Sequence, residues 1–518
     1  MGIGNHLHTN STIEIILISI AGKKPYLAHK MDSLYNICVS QTAGLLKSHH
    51  WKGVTEDFQP VNHFSSMPST IVDDLFAYVV DMLPHPVEVS DVHLLLSSGR
   101  LQHFKLEHVL ITREVFITML MNLSSASKEL RSLVLRKLAF SNPYTIDPIK
   151  RHLVSGTIEC LVRMSPHLEL LESCIAFNLK SIRNSEHLKV LKVNFVPETP
   201  LSNFLIVDGD FWSNHTLSVI EVYQDIRNPV HYLESMHILK YCKALTNLNI
   251  DISCCLEYMH TEEMDNGTLD TQYKLQKCFL GSESNGPATI TALHIATLTC
   301  PFIKEVDILA SDNHVIYGLR DFENLSNLLV QWESPNGGNF QLGIQMLLET
   351  MGKKLKTLHL LNFFTVDFAA LALNAPALEE LKVEYLSEYC GQHGTHNPAE
   401  CFTNLKNLIL ENTDSNISVS ENTIVMLLSS CPQLTNLSLF PATHLNDAVL
   451  SKVLAKNTLS NVKELALADC ALTGEGIKLL AENLRNLRVF DLSSSEIDFE
   501  EAAAIVHSLN VEVVMVEI

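Results

Sequence analysis

The chain has 518 residues, 46% of them hydrophobic, and its 58 acidic and 37 basic side chains give a formal net charge of −21. The apolar share excludes a mainly disordered chain, and the negative charge argues against nucleic acid or an anionic membrane as the main partner. The twelve cysteines are scattered without a C-x-x-C pair, as in proteins with reduced, buried thiols. We therefore expect a folded protein of the cytosol, the nucleus or both, which binds neither nucleic acid nor membrane.

Residues 1–30 contain one apolar run, Ile13–Ala21, which is too short to span a bilayer. No basic segment precedes it, so it does not resemble a signal peptide. We expect residues 1–30 to form a disordered extension before Met31, or to lie upstream of the natural start.

Two amphipathic helices are predicted between residues 31 and 85. Ser33 can cap the first helix. Residues at helical spacing then share one mostly apolar face: Leu34, Ile37, Cys38, Gln41 and Leu45. Pro68 suits the first turn of the second helix, whose apolar stripe consists of Ile71, Leu75, Val79 and Met82.

Cores of the form L-x-x-L-x-L recur from Leu101 to the end of the chain. They begin at Leu101, Leu130, Leu168, Leu188, Leu217, Leu245, Ile303, Leu325, Leu355, Leu378, Leu405, Leu434, Val462, Leu487 and Val511. The later spacings, 23 to 29 residues, are typical of leucine-rich repeats, and the unit Val462–Asn486 resembles the ribonuclease-inhibitor type. Residues 86–518 are therefore predicted to form an α/β leucine-rich-repeat solenoid, with a parallel sheet on the concave side and helices on the convex side.

Two segments interrupt the repeat pattern. Residues 256–290 are polar and acidic and are predicted to leave the solenoid, although the 58 residues between Leu245 and Ile303 also indicate a degenerate repeat. Residues 386–400 are predicted to form a second excursion.

The sequence contains no phosphate-binding, zinc-protease or hydrolase motif in a suitable context, so we expect no enzyme activity and no cofactor. The cluster Cys390-x-x-His393-x-x-His396 with Cys401 matches no known zinc module, and we predict no metal site there.

Outward positions of the predicted strands form a mixed polar surface that suits a protein partner. The candidate substrate-binding residues on this surface are Thr357, His359, Glu380, Lys382, Asn407 and Asn436. For any single one of them, a solvated strand position without a binding role is the more frequent situation.

Two phrases in the N-terminal module resemble a family signature. SLYNIC resembles the start of a BC-box, here residues 33–43, the motif that docks on elongin C, and MPSTIVDDL at residues 67–75 resembles the cullin-2 box. Together, residues 31–85 look like a VHL-box module, and its place before leucine-rich repeats is similar to the Zyg-eleven and Zer-one substrate receptors of elongin BC–cullin-2 ubiquitin ligases.

The resemblance implies roles for particular residues. It assigns elongin C contacts to Leu34, Ile37 and Cys38. It assigns cullin contacts, or support for them, to Met67, Pro68, Ile71 and Leu75. The partners implied are elongin B, elongin C, cullin-2 and a protein substrate that the repeats bind.

The sequence departs from the family in two respects. Polar Thr42 stands four residues after Cys38, where the motif usually has an apolar residue. The resemblance also does not extend to the armadillo-like repeats with which the family recognises N-terminal glycine. Recognition of N-terminal glycine is therefore not implied for this chain.

Three alternatives stay open. The second helix resembles the opening of an F-box, which would imply a Skp-one and cullin-1 ligase. Both helices can instead be caps of the first repeat, and the whole chain can be an interaction scaffold outside any ligase.

Overall fold

The computed structural model describes residues 34–47, 62–82, 89–126, 128–140, 148–194, 206–207, 210–211, 216–223, 232–334, 337–386, 402–412, 418–493, 499–508 and 514–516. The described residues divide into two compact units, one ending at Ile250 and the other beginning at Asp251.

The first unit alternates helices with short strands. Its helices are α1 (Leu34–Lys47), α2 (Ser69–Met82), α3 (Val89–Leu96), α4 (Arg113–Ala126), α5 (Pro148–Met164) and α6 (Tyr232–Tyr241), with 3-10 turns at His63–Ser66 and Leu179–Asn184. Its strands are β1 (His103–Glu107), β2 (Leu110–Ile111), β3 (Ser132–Arg136), β4 (Ala139–Phe140), β5 (Leu170–Ser173), β6 (Val190–Asn194), β7 (Ile206–Val207), β8 (Asp210–Phe211), β9 (Val219–Tyr223) and β10 (Asn247–Asp251), whose last residue belongs to the second unit.

The second unit repeats the same alternation. Its helices are α7 (Ser253–Asp265), α8 (Ile290–Thr299), α9 (Asn313–Gly318), α10 (Met346–Met351), α11 (Phe368–Asn374), α12 (Glu421–Ser429), α13 (Asp447–Leu454), α14 (Gly474–Asn483) and α15 (Phe499–Ser508), with 3-10 turns at Leu319–Asp321 and Gly352–Lys354 and a π-helical turn at Gln341–Gln345. Its strands are β11 (Lys277–Leu280), β12 (Glu305–Ala310), β13 (Asn327–Trp332), β14 (Thr357–Leu361), β15 (Glu380–Glu384), β16 (Asn407–Glu411), β17 (Asn436–Phe440), β18 (Glu464–Ala468), β19 (Val489–Ser493) and β20 (Val514–Val516).

Parallel pairing joins the main strands within each unit. In the first unit the order is β1-β3-β5-β6-β9-β10, with a small parallel pair β2-β4 and an antiparallel pair β7-β8. In the second unit the strands follow chain order from β11 to β20. The predicted α/β leucine-rich-repeat fold with a parallel sheet is confirmed.

The core of each repeat comes from the leucine pattern. Every predicted repeat start from Leu101 to Leu487 is at most 5% exposed. Along β18, Leu465 and Leu467 are buried whereas Glu464 is exposed and Ala466 is half-buried. Because successive strand residues point to opposite faces, each strand has one buried face and one face of partly exposed side chains. We call the second face the open sheet face; it is the surface predicted to be concave.

Asparagines tie neighbouring repeats together in the second unit. The side-chain amide of Asn461, three residues before β18, donates to the carbonyl of Pro432 in the preceding repeat at 3.0 Å. Asparagines at the same repeat position make the same bond: Asn324 to Pro301, Asn404 to Pro376 and Asn486 to Ser460. These bonds satisfy loop carbonyls that the parallel sheet leaves unpaired.

Part of the excursion predicted at residues 256–290 belongs to a repeat of the sheet. Much of the segment forms helix α7 and strand β11, and β11 pairs in parallel with β12. Fully buried Leu275 opens this hidden repeat and divides the 58-residue gap into 30 and 28 residues. The gap length indicated this repeat, but its motif was not recognised, because Cys278 replaces the leucine three residues after Leu275.

Other predicted boundaries have different outcomes. Helices α1 and α2 belong to the same compact unit as the first repeats, and the N-terminal module at residues 31–85 stays a prediction. The predicted extension at residues 1–30 lies outside the described residues, as does nearly all of the predicted excursion at 386–400.

Candidate protein-binding sites

Helix α1 packs against α2 through one of its faces. Val39, Ala43 and Leu46 recur at helical spacing and are 8%, 1% and 4% exposed. These small and medium apolar side chains let the two helices approach closely. The contact accounts for one apolar stripe of α1.

A second set of apolar side chains on α1 faces solvent. Tyr35, Ile37 and Leu45 are 44%, 41% and 44% exposed, and Cys38 is also exposed. Leu34 is the first residue of the helix, and its side chain lies outside the description. Since Ile37, Cys38 and Leu45 come from the face predicted in the sequence, we call them the outer face of α1.

Thr42 is already satisfied by its own helix. Its hydroxyl donates to the carbonyl of Cys38 at 2.8 Å. A partner that covers this part of α1 therefore need not leave an unpaired hydroxyl beneath it. Because its hydroxyl is already bonded, Thr42 differs less from the apolar residue of the motif than its polar side chain suggests.

Helix α2 covers the first strand of the sheet. The rings of Phe76 and Phe104 lie 5.1 Å apart between their centroids. The Asp73 carboxylate accepts the amide protons of Gln102 and His103 at 2.9 and 3.0 Å, and burial raises the pKa of this carboxyl. Of the two helices that the sequence offered as caps of the first repeat, α2 therefore covers the repeat directly. Helix α1 packs on α2.

The predicted cullin-contact residues have different exposures. Pro68 is exposed at the start of α2, where its carbonyl accepts the amide protons of Ile71 and Val72. Met67 and Ile71 are half-buried. Leu75 is only 2% exposed, so it can support a contact of α2 but not make one.

The predicted substrate-binding residues lie together on the open sheet face of the second unit. Strand register places Thr357, Glu380, Asn407 and Asn436 side by side in one row. His359 and Lys382 are neighbours in the next row. All six side chains are half-buried, so they line the sheet without closing it.

Sequence reasoning missed two carboxylates in a third row of this face. His359 Nε2 lies 2.5 Å from Glu384 Oε2, and Lys382 Nζ lies 3.1 Å from Glu384 Oε1. Burial opposes ionisation of Glu384, but the hydrogen bonds from His359 and Lys382 hold its pKa below the ordinary value. Glu411 is its neighbour in register, and burial, together with the Glu384 charge, raises the pKa of Glu411. Each glutamate is the last residue of its strand. It occupies the next outward-facing position, two residues after the outward pair considered in the sequence.

The open sheet face of the first unit also has an ionic network. Arg136 forms a two-bond pair with Glu172 at 2.6 and 2.7 Å and a third bond to Glu107 at 3.1 Å. Tyr223 donates its hydroxyl proton to Glu172 at 2.9 Å. In the first unit, the buried Glu172 carboxylate is therefore paired with a guanidinium, that of Arg136.

No metal-binding group of histidine, cysteine, aspartate and glutamate occurs in the described ranges. The Cys390–Cys401 cluster lies outside them. Among the helices that the structure describes, none is long and apolar enough to cross a membrane.

Comparisons with known proteins add little. No protein-family model and no curated protein matches the chain. Similar solved structures include the Rad7 and Elc1 complex of yeast, with 14% identity, a TM-score of 0.26, and coverage of 50% of this chain and 81% of that one. Another is an internalin C2 of Listeria monocytogenes, with 17% identity, a TM-score of 0.27, and coverage of 44% and 91%. Likenesses of this size carry no argument about function.

Proposed function

We propose that the chain is a non-catalytic substrate receptor of an elongin BC–cullin-2 ubiquitin ligase. The observation that supports this most is the outer face of α1. Val39, Ala43 and Leu46 are the buried side chains of α1, which packs on α2, so the exposed Ile37 and Cys38 are not needed to hold the helix in place. An apolar surface left over in this way suits a partner's pocket.

In this proposal the two helices have different roles. α1 docks on elongin C through Leu34, Ile37 and Cys38, while the start of α2, at Met67 and Pro68, contacts the cullin with Ile71 nearby. Leu75 keeps α2 in place from within the core. The leucine-rich repeats bind the substrate protein.

The mechanism is proximity. A receptor raises the effective concentration of substrate lysines near the activated ubiquitin and needs no reactive group of its own. The ten cysteines described are free thiols, which agrees with the proposed cytosolic or nuclear location.

Co-purification tests the proposal. The intact chain is expected to retain elongins B and C, and the variant Leu34→Ser, Cys38→Ser to lose them. Met121→Ser is the matched control, because Met121 is 59% exposed on α4 and is not one of the proposed contacts, so its loss should not affect retention.

Three other results would change the conclusion. A wild-type chain that retains no elongin would refute the receptor proposal. Retention of the F-box adaptor Skp-one instead would select the cullin-1 alternative. Retention of neither adaptor, with a stable set of other partners, would select the interaction scaffold.

A further inference from the structure

The open sheet face of the second unit has more acids than bases. Its described acidic side chains are Glu305, Asp307, Glu380, Glu384, Glu411, Glu464 and Asp491, and its basic ones are Lys277 and Lys382, with His359 in addition. A surface with this balance favours a positively charged partner.

The few cations on this face are already paired. Lys277 contacts both Glu305 and Asp307, and Lys382 and His359 both contact Glu384. Among the described side chains, no basic group lies within ion-pair distance of the remaining four acids, which are Glu380, Glu411, Glu464 and Asp491. The acids of this face that lack a basic partner therefore lie between β15 and β19.

Asp491 gives an independent indication of a missing partner. Its Oδ1 atom is buried and has no hydrogen-bond partner in the described part of the chain. A buried carboxylate oxygen without a donor is unfavourable, and burial raises the pKa of Asp491 to about 6. A cationic group bound beside this carboxylate would stabilise its charged form.

Two exposed aromatic rings lie beside the glutamates at the β15–β17 side of this region, opposite Asp491. Phe440 is the register neighbour of Glu411 on the adjacent strand and is 40% exposed. Tyr385 follows Glu384 directly and is 43% exposed. An exposed ring beside a carboxylate suits a guanidinium group, which can stack on the ring while it pairs with the acid.

The spacing of the acids suits an extended segment. Glu411 on β16 and Asp491 on β19 are three strands apart, roughly 15 Å at the usual spacing between strands. An extended chain covers that distance in about four to five residues. Arginines at alternate positions of such a chain can reach both acids.

We propose that the open sheet face between β15 and β19 binds a basic, arginine-bearing extended segment of a partner protein, with Glu411, Phe440 and Asp491 as its main contacts. Such a segment would be the part of the substrate that the repeats recognise, and in this respect the inference rests on the proposed receptor function. The binding itself requires no ligase subunit, so the two can fail separately.

Fluorescence anisotropy with the full chain tests the proposal. The probe is a fluorescein-labelled 12-residue peptide of alternating arginine and serine at 0.15 M salt, and the comparison peptide has citrulline in place of each arginine. We expect saturable binding of the arginine peptide and none of the citrulline peptide. E411Q/D491N should weaken binding about tenfold, the size of a close interfacial charge pair.

The matched control has the same change in charge elsewhere in the unit. Glu323 and Glu482 are both exposed and do not lie on the sheet face, so E323Q/E482Q should change the affinity by less than about twofold. If E411Q/D491N does not fold, as judged by circular dichroism, E380Q/E464Q replaces it.

Several results would overturn the proposal. One is equal weakening by both double variants, which would indicate unspecific attraction to the negative chain. Others are equal binding of the citrulline peptide, or no binding of either peptide. Self-association of the chain that E411Q/D491N abolishes would instead make this face an interface between two copies.

Discussion

Tyr35 of α1 donates a hydrogen bond of 2.5 Å from its hydroxyl to the Asp74 carboxylate of α2. The bond to Asp74 raises the pKa of the tyrosine. It joins the helix that carries the proposed elongin contacts to the helix that covers the sheet. The orientation of the outer face of α1 therefore depends on a polar bond as well as on packing.

Removal of this bond should loosen α1 without unfolding the chain. In Tyr35→Phe, we expect faster hydrogen exchange of the α1 amides and weaker retention of elongin C, with little change in the thermal unfolding temperature. Tyr78→Phe is the control, because Tyr78 is 37% exposed on α2 and lies outside the Tyr35–Asp74 bond. Unchanged exchange in Tyr35→Phe would mean that packing alone holds α1.

The two kinds of proposed cullin residue should behave differently. Met67→Asp alters a half-buried side chain at the start of α2 and should abolish cullin-2 retention while elongin C stays bound. Leu75→Ala removes a buried side chain and should lower the free energy of unfolding by about 2–4 kcal/mol. Loss of elongin C and cullin-2 together in Met67→Asp would contradict separate roles for the two helices.

The asparagine bonds between repeats should contribute measurably to stability. Asn461→Ala removes the donor to Pro432 and leaves a loop carbonyl without its partner, which should lower the free energy of unfolding by about 1 kcal/mol. Urea unfolding measures the change. Asn324→Ala should have a similar effect, because Asn324 makes the same bond to Pro301; no effect in either variant would show that water replaces the bond fully.

Asp491 should make stability depend on pH. Its pKa is raised from 3.8 to about 6 in the folded chain, so the folded state binds this proton more tightly than the unfolded state does. Its unfavourable contribution is complete above pH 6 and disappears as the pH falls towards 4.

Asp491→Asn should therefore stabilise the chain at pH 7.5, by about 1 kcal/mol after allowance for solvent screening. The difference between variant and wild type should shrink at pH 4.5, where most of the Asp491 population is protonated in the folded chain. Urea unfolding at the two pH values measures it, and E482Q controls for the loss of one surface charge. A variant that is less stable at pH 7.5 would show that the Asp491 carboxylate is not destabilising.

The sequence determined the repeat fold because the leucine pattern is local and periodic. Residues such as Leu405 and Leu434 mark strands whose buried face must be covered by the next repeat. The same pattern failed at Leu275, where a cysteine replaced one leucine, because the sheet tolerates any apolar residue of suitable size at that position.

The candidate sites were only partly visible in the sequence. Helical spacing placed Ile37 and Cys38 on one face, but two apolar stripes on α1 look alike until packing decides which is buried. The Asp73 cap, the Tyr35–Asp74 bond and the Glu384–Glu411 neighbours join residues that are far apart in the chain. Only the tertiary structure decides such pairs, because strand register and helix packing, not sequence distance, set which side chains meet.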